Sequence, residues 1–142
     1  MDPTDFFGRD ILSVLNQFRD GEKIVDYSKI EGDEFLKLLE KGFYLHSKNG
    51  NGKIFDCRIY FSAYEGYFPS ESETRGDFAG VEKINDLGGL LGRHTREIRS
   101  IKIPGRPATL SGKEFHADGR IVTAFSEDGE HITYLHIKVV EN

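Results

Sequence analysis

Three runs near the C-terminus, GKEFHA (112–117), RIVTAFS (120–126) and HITYLHIKVV (131–140), are joined at Asp118-Gly119 and Asp128-Gly129. Their reading decides the fold. Alternating runs separated by Asp-Gly form hairpins, because a two-residue turn needs residues that tolerate positive φ. The segment therefore reads as a three-strand meander. If both turns hold two residues, Ala117 lies opposite Arg120 and His116 opposite Ile121. In the second hairpin Glu127 then faces Glu130, and Ile121 faces His136. One face carries Phe115, Ala117, Val122, Ala124, Leu135, Ile137 and Val139, the composition of a core face. The other carries Glu114, His116, Ile121, Thr123, Phe125, Ile132, Tyr134, His136 and Lys138.

Upstream, residues 43–64 read as a further hairpin around Asn49-Gly50-Asn51-Gly52, with Phe55, Cys57, Ile59 and Phe61 on its apolar face. Residues 96–103 read as a strand stopped by Pro104-Gly105. The N-terminal third has helix grammar. Asp2 and Pro3 suit a helix start, Ile11, Leu12, Leu15 and Phe18 recur at helical spacing, and Gly21 suits a stop, giving a helix over about 3–20. A second helix is expected over 32–41, with Phe35, Leu38 and Leu39 as its stripe and Gly42 as its cap. A short third helix is expected over 81–91, and residues 65–80 read as a long loop. The expected fold is α+β, a single domain over 1–142. Two or three helices pack on one face of a curved antiparallel sheet of five or six strands ending in the meander.

Composition bounds the function. The chain has 142 residues, 37% of them hydrophobic and 30% charged, which suits one globular domain with a buried core. No apolar run reaches membrane-spanning length, and no secretion signal is visible at the start. A single cysteine, Cys57, permits no internal disulfide and suits a cytoplasmic location. No cofactor motif, no zinc-type spacing and no nucleophile motif is present. The glycine-rich run 88–93 lacks the Lys-Ser/Thr ending of a phosphate loop. No catalytic residue and no metal ligand is therefore assigned.

Charge is unevenly spread. The net charge is −5, yet residues 93–113 hold six basic residues (Arg93, Arg96, Arg99, Lys102, Arg106 and Lys113) against one acid, Glu97. Such a strip on an acidic body is a candidate binding site, with Arg93, His94, Arg96, Arg99 and Lys102 as its contacts. The loop offers a second candidate. Tyr67 and Phe68 are possible anchors rimmed by Glu65, Glu71 and Glu73, in the manner of a protein-binding hot spot.

These features point to a small interaction protein of the inhibitor or immunity kind, which binds and blocks a macromolecular partner such as a nucleic-acid-processing protein. An acidic surface with aromatic anchors suits masking a basic partner. RNA or a nucleotide on the 93–113 strip is the other partner class. A metal-independent ribonuclease is the alternative, with His116 and His136 as acid and base beside the cationic strand. A small-molecule or nucleotide-binding module is the third reading. The solvated face of an antiparallel sheet also carries His, Thr, Tyr and Lys without any function.

Overall fold

The computed structural model describes residues 1–19 and 25–140. One antiparallel sheet of eight strands organises them. In chain order these are β1 (Asp26–Ile30), β2 (Asp33–Leu38), β3 (Phe43–Ser47), β4 (Ile54–Tyr60), β5 (Arg96–Ile98), β6 (Ser111–Ala117), β7 (Arg120–Ser126) and β8 (Tyr134–Val139). Their spatial order is β1-β2-β3-β4-β8-β7-β6-β5. Two meanders thus meet where β4 pairs with β8. The helices are α1 (Ile11–Arg19), α2 (Ser72–Arg75) and α3 (Gly88–Leu91). The α+β class and the antiparallel sheet match the sequence reading, but the sheet is larger than the five or six strands expected.

The two extra strands are β1, which the sequence left unassigned, and β2, which it assigned to a helix. Residues 33–38 form β2 rather than a helix, and only Leu39–Lys41 make a 3-10 turn before Gly42. Phe35, Leu38 and Leu39 fit helical spacing, but Glu34, Leu36 and Leu38 fit period two equally well, and those three are the buried ones. Pairing on both sides decides the outcome. Leu36 sits opposite Tyr27 on β1 and Leu45 on β3. Propensity gives way to tertiary burial, worth roughly 1.5–3 kcal/mol for each large apolar side chain removed from water.

The N-terminal helix is shorter than expected. Asp2 and Pro3 do start a helical element, a 3-10 turn over Pro3–Phe6, with Asp2 accepting from the Thr4 amide at 3.0 Å. Gly8, at φ 84, breaks it, and Asp10 caps α1 through the Leu12 amide at 3.0 Å. The expected stop at Gly21 lies outside the described residues. Ile11, Val14, Leu15 and Phe18 of α1 are buried against β2 and β3. The third helix is split into a 3-10 turn, Ile84–Leu87, and the single turn α3. The strand expected over 96–103 pairs only over Arg96–Ile98.

The meander keeps its faces but shifts its register. Asp118 and Gly119, at φ 53 and 74, make the expected tight turn, and Ala117 faces Arg120. The second connection is longer. Asp128 Oδ1 accepts from the amides of Glu130 at 2.8 Å and His131 at 2.7 Å, and β8 begins only at Tyr134. Ile121 therefore faces Lys138, and Thr123 faces His136. A slip of two residues preserves the alternation of β8 from Tyr134 onward, but Ile132, expected on the outer face, falls in the longer connection and is buried in the core. In the first hairpin a bulge between His46 and Ser47 sets Ser47 opposite Ile54. Ile54, not Phe55, then points into the core, and Phe55 lies against His46 with ring centroids 5.0 Å apart.

Candidate functional site

The most exposed part of the cationic strip is an arm. Beyond Ile98 the chain leaves the sheet and returns only at Ser111. Hydrogen bonds order this excursion. The Ile101 amide donates to Thr109 Oγ1 at 2.7 Å, the Thr109 amide to the Ile101 carbonyl at 2.9 Å, Ser100 Oγ to the Thr109 carbonyl at 2.6 Å, and the Arg106 amide to the Ile103 carbonyl at 3.0 Å. The tip Ile103-Pro104-Gly105-Arg106 is a type II turn. Proline sets the second position, and Gly105 at φ 81 supplies the left-handed third. Residues 99–109 are exposed throughout, with Ile101 at 60% and Ile103 at 48%. Arg99, Lys102 and Arg106 are interspersed with them, and the stretch 98–112 holds no acid.

The other members of the strip are tied down. Arg96 Nη2 meets Glu114 at 2.9 Å, and His94 Nε2 lies 3.3 Å from Glu97. Arg93, His94 and Lys113 line one shallow groove next to β6. The strip thus divides into a base, where His94 and Arg96 have acidic partners and Arg93 lines the groove, and an arm, Arg99 and Lys102 joined by Arg106, that has no ion pair among the described residues. The sequence reading took this arm for a strand and overlooked Ile101 and Ile103. Their signal was the pattern Ile-Lys-Ile-Pro-Gly-Arg, which alternates like a strand but, apart from the bonds at Ile101 and Thr109, has no partner to pair with.

The loop over 65–80 is built differently from the expected anchor site. Glu65 and Gly66, at φ 52 and 86, form a tight turn that folds back over the outer face of the sheet. Tyr67 is buried and stacks on Tyr60, with centroids 4.1 Å apart and planes 8° apart. It is therefore a packing residue rather than an exposed anchor, because β4 offers it a flat aromatic surface. Phe68 is exposed, while Glu73 meets the terminal amine of Met1 at 2.7 Å. Glu71 precedes α2 as its N-cap residue without a side-chain hydrogen bond. Glu65, its side chain half exposed, lies 3.4 Å from Arg58 Nη1 and accepts from the Tyr60 hydroxyl at 3.2 Å.

The outer sheet face carries a polar row that the sequence reading only partly saw. His46 Nδ1 lies 3.0 Å from Asp56, His46 Nε2 3.1 Å from Asp33, and His136 Nε2 3.4 Å from Asp56. These four residues link β2, β3, β4 and β8. Burial opposes charge on His46, but the two carboxylates outweigh it and raise its pKa. Burial likewise opposes charge on Asp56, but hydrogen bonds from His136 and His46 prevail and lower its pKa. Next to them Arg58 lies over Tyr134 at 4.1 Å and Tyr44 at 5.4 Å. Burial pushes the Tyr44 phenol up to about 12. His116 is elsewhere. It faces Ile121 one row away from the Thr123–His136 pair, and it bonds to Glu114 at 3.0 Å. The shared row expected for His116 and His136 is not formed, because the longer 127–133 connection moves β8 by two residues. Nothing in the spacing of His46, Asp33 and Asp56 gave them away. They converge only because β2 is a strand. Among the described residues no group of three or more His, Cys, Asp or Glu side chains is arranged to hold a metal ion.

No family model matches the sequence, and no curated protein matches it. Among solved structures the chain is similar to a cysteine-rich secretory protein from Staphylococcus aureus. The TM-score is 0.53 and the identity 12%, over 98% of this chain and 45% of that one. The chain thus spans less than half of that protein's length. At this identity the likeness shows the fold alone. Among the described residues no helix is long and apolar enough to cross a membrane.

Proposed function

We propose that this is an interaction protein of the inhibitor or immunity kind, and that it blocks its partner by inserting the 99–110 arm into an acidic cleft. One observation carries the reading. Ile101 and Ile103 are both about half or more exposed on a hydrogen-bonded arm studded with Arg99, Lys102 and Arg106. Isolated exposed apolar side chains are ordinary, but two on one ordered projection, ringed by cations, have the anatomy of a binding anchor. The ordered tip also lowers the entropy lost on docking.

The composition of the arm favours protein over nucleic acid. Single-stranded RNA is bound by stacking its bases on aromatic rings, and residues 99–110 contain none. Isoleucines contribute by filling an apolar pocket, and the cations by meeting carboxylates around it. A nucleic-acid-processing enzyme that gathers carboxylates to hold divalent metals offers such a cleft. In this reading the acidic body keeps the protein off nucleic acid itself, and the arm, rather than the loop at 65–80, makes the decisive contacts.

The test is capture from a lysate of the producing cell, with and without nuclease treatment, using the wild-type chain and an Ile101→Ser/Ile103→Ser variant. The reading predicts one stoichiometric protein that survives nuclease. The double variant should bind it at least roughly 30-fold more weakly, the loss of one hot spot of about 2 kcal/mol. Recovery of RNA alone, or equal capture by the variant, would overturn it.

A further inference from the structure

Helix α1 packs chiefly over the β2–β3 part of the core face. Over the far half, around the β6–β7 hairpin, the cover is made of short turns, and it leaves a cavity of about 280 Å³. The floor is apolar and belongs to the sheet and its cover. Val122 and Ile137 are almost fully buried there, and Phe78 and Leu91 pack beside them. The rim is acidic, with Asp2, Asp77 and Asp118 around the opening.

Two of these three carboxylates are left unused by the fold. Asp2 uses Oδ1 to cap the Pro3–Phe6 turn. Its Oδ2 lies against Gly76, at φ 55, where an added Cβ would force the carboxylate to shift. Among the described residues neither Asp77 nor Asp118 has an ion pair or a side-chain hydrogen bond. The one cation on the rim, Arg120, lies over the Phe7 ring at 5.2 Å. An apolar floor under a rim of net negative charge selects a ligand that is apolar at one end and positive at the other.

We propose that this cavity is a binding site for a small organic ammonium, with its hydrocarbon body against Phe78, Leu91, Val122 and Ile137 and its cationic head between Asp77, Asp118 and Asp2. The apolar floor disfavours a hydrated metal ion, and the rim disfavours a carboxylate or phosphate ligand. The site is separate from the arm and does not depend on the reading given for it.

Three probes of one shape test this on the wild-type protein: benzylamine, benzyl alcohol and benzoate. Binding is read by two-dimensional NMR titration of the backbone amides. The expected result is saturable shifts at residues 77–78, 90–91 and 117–122, with benzylamine at least roughly fivefold tighter than benzyl alcohol. Benzoate should be the weakest. An Asp77→Asn/Asp118→Asn variant, changed only at exposed positions, should lose most of the preference for the amine and still bind benzyl alcohol as before. Equal affinity for all three probes, no binding of any, or an amine preference that survives the double variant would each overturn the proposal.

Discussion

His46 Nδ1 sits 3.0 Å from Asp56 Oδ1 across the β3–β4 pair, with the imidazole stacked on Phe35 at 4.3 Å. Asp33 holds the other ring nitrogen, His136 shares Asp56, Phe55 lies over the ring, and Lys138 stands opposite Asp56 on β8. The pKa of His46 is raised above 6.5, so its contribution is fully present below the unfolded value and is lost as pH rises through the folded one. The pKa of Asp56 is lowered below 3.8, so its contribution is present above that value and is lost as pH falls through the folded one. The melting temperature should therefore be higher at about pH 5.5 than at about pH 8, and His46→Gln should flatten the alkaline limb. A wild-type curve that rises across that interval would contradict this account of the row.

Gly42 ties the β3 start to the loop beyond β4. It sits at φ 73, and a Cβ there would run into the Phe68 carbonyl oxygen and come within 2.7 Å of the Ser70 amide nitrogen. Gly50, at φ 69, opens onto free space. Gly42→Ala should cost at least about 2 kcal/mol in urea unfolding, and Gly50→Ala about 1 kcal/mol. Equal costs would mean that the backbone approach at Gly42 is not tight.

Tyr67 and Phe68 are adjacent and should behave oppositely. Tyr67→Ala removes a buried ring stacked on Tyr60 and should destabilise by about 3 kcal/mol. Phe68→Ala removes an exposed ring and should change stability by less than about 0.5 kcal/mol. Denaturant midpoints of the two variants decide it.

Cys57 is fully buried, and burial pushes its thiol well above the usual range. A thiol reagent at neutral pH should label it only at the rate of unfolding, and prompt labelling of the native protein would show that the β3–β4 core opens readily.

Much of the fold was legible because strong local signals agreed with the tertiary result. Asn49-Gly50 and Asp118-Gly119 both adopt the positive φ their dipeptides advertise, and Phe115, Val122, Ala124, Leu135 and Ile137 of the expected core face are all buried. The failures have local causes. The β1–β2 turn uses Glu31 at φ 57, a residue type that rarely marks a turn, so β2 looked like a helix and β1 went unseen. Asp128 uses its carboxylate, not positive φ, to shape the next connection, and this moved His136 away from the row of His116. For the site, charge segregation over 93–113 was visible in the sequence. The split between neutralised Arg96 and exposed Arg99 and Lys102 depends on which strand pairs with β6, and composition does not carry that information.

The most direct measurement is photo-crosslinking in the producing cell, with a photoreactive side chain placed at Ile103 and, in a parallel sample, at Phe68. The account predicts one discrete protein adduct from position 103, lost when Lys102 and Arg106 are both changed to glutamate, and none from position 68. An adduct from position 68 alone would move the contact to the 65–80 loop and contradict the arm as the binding element.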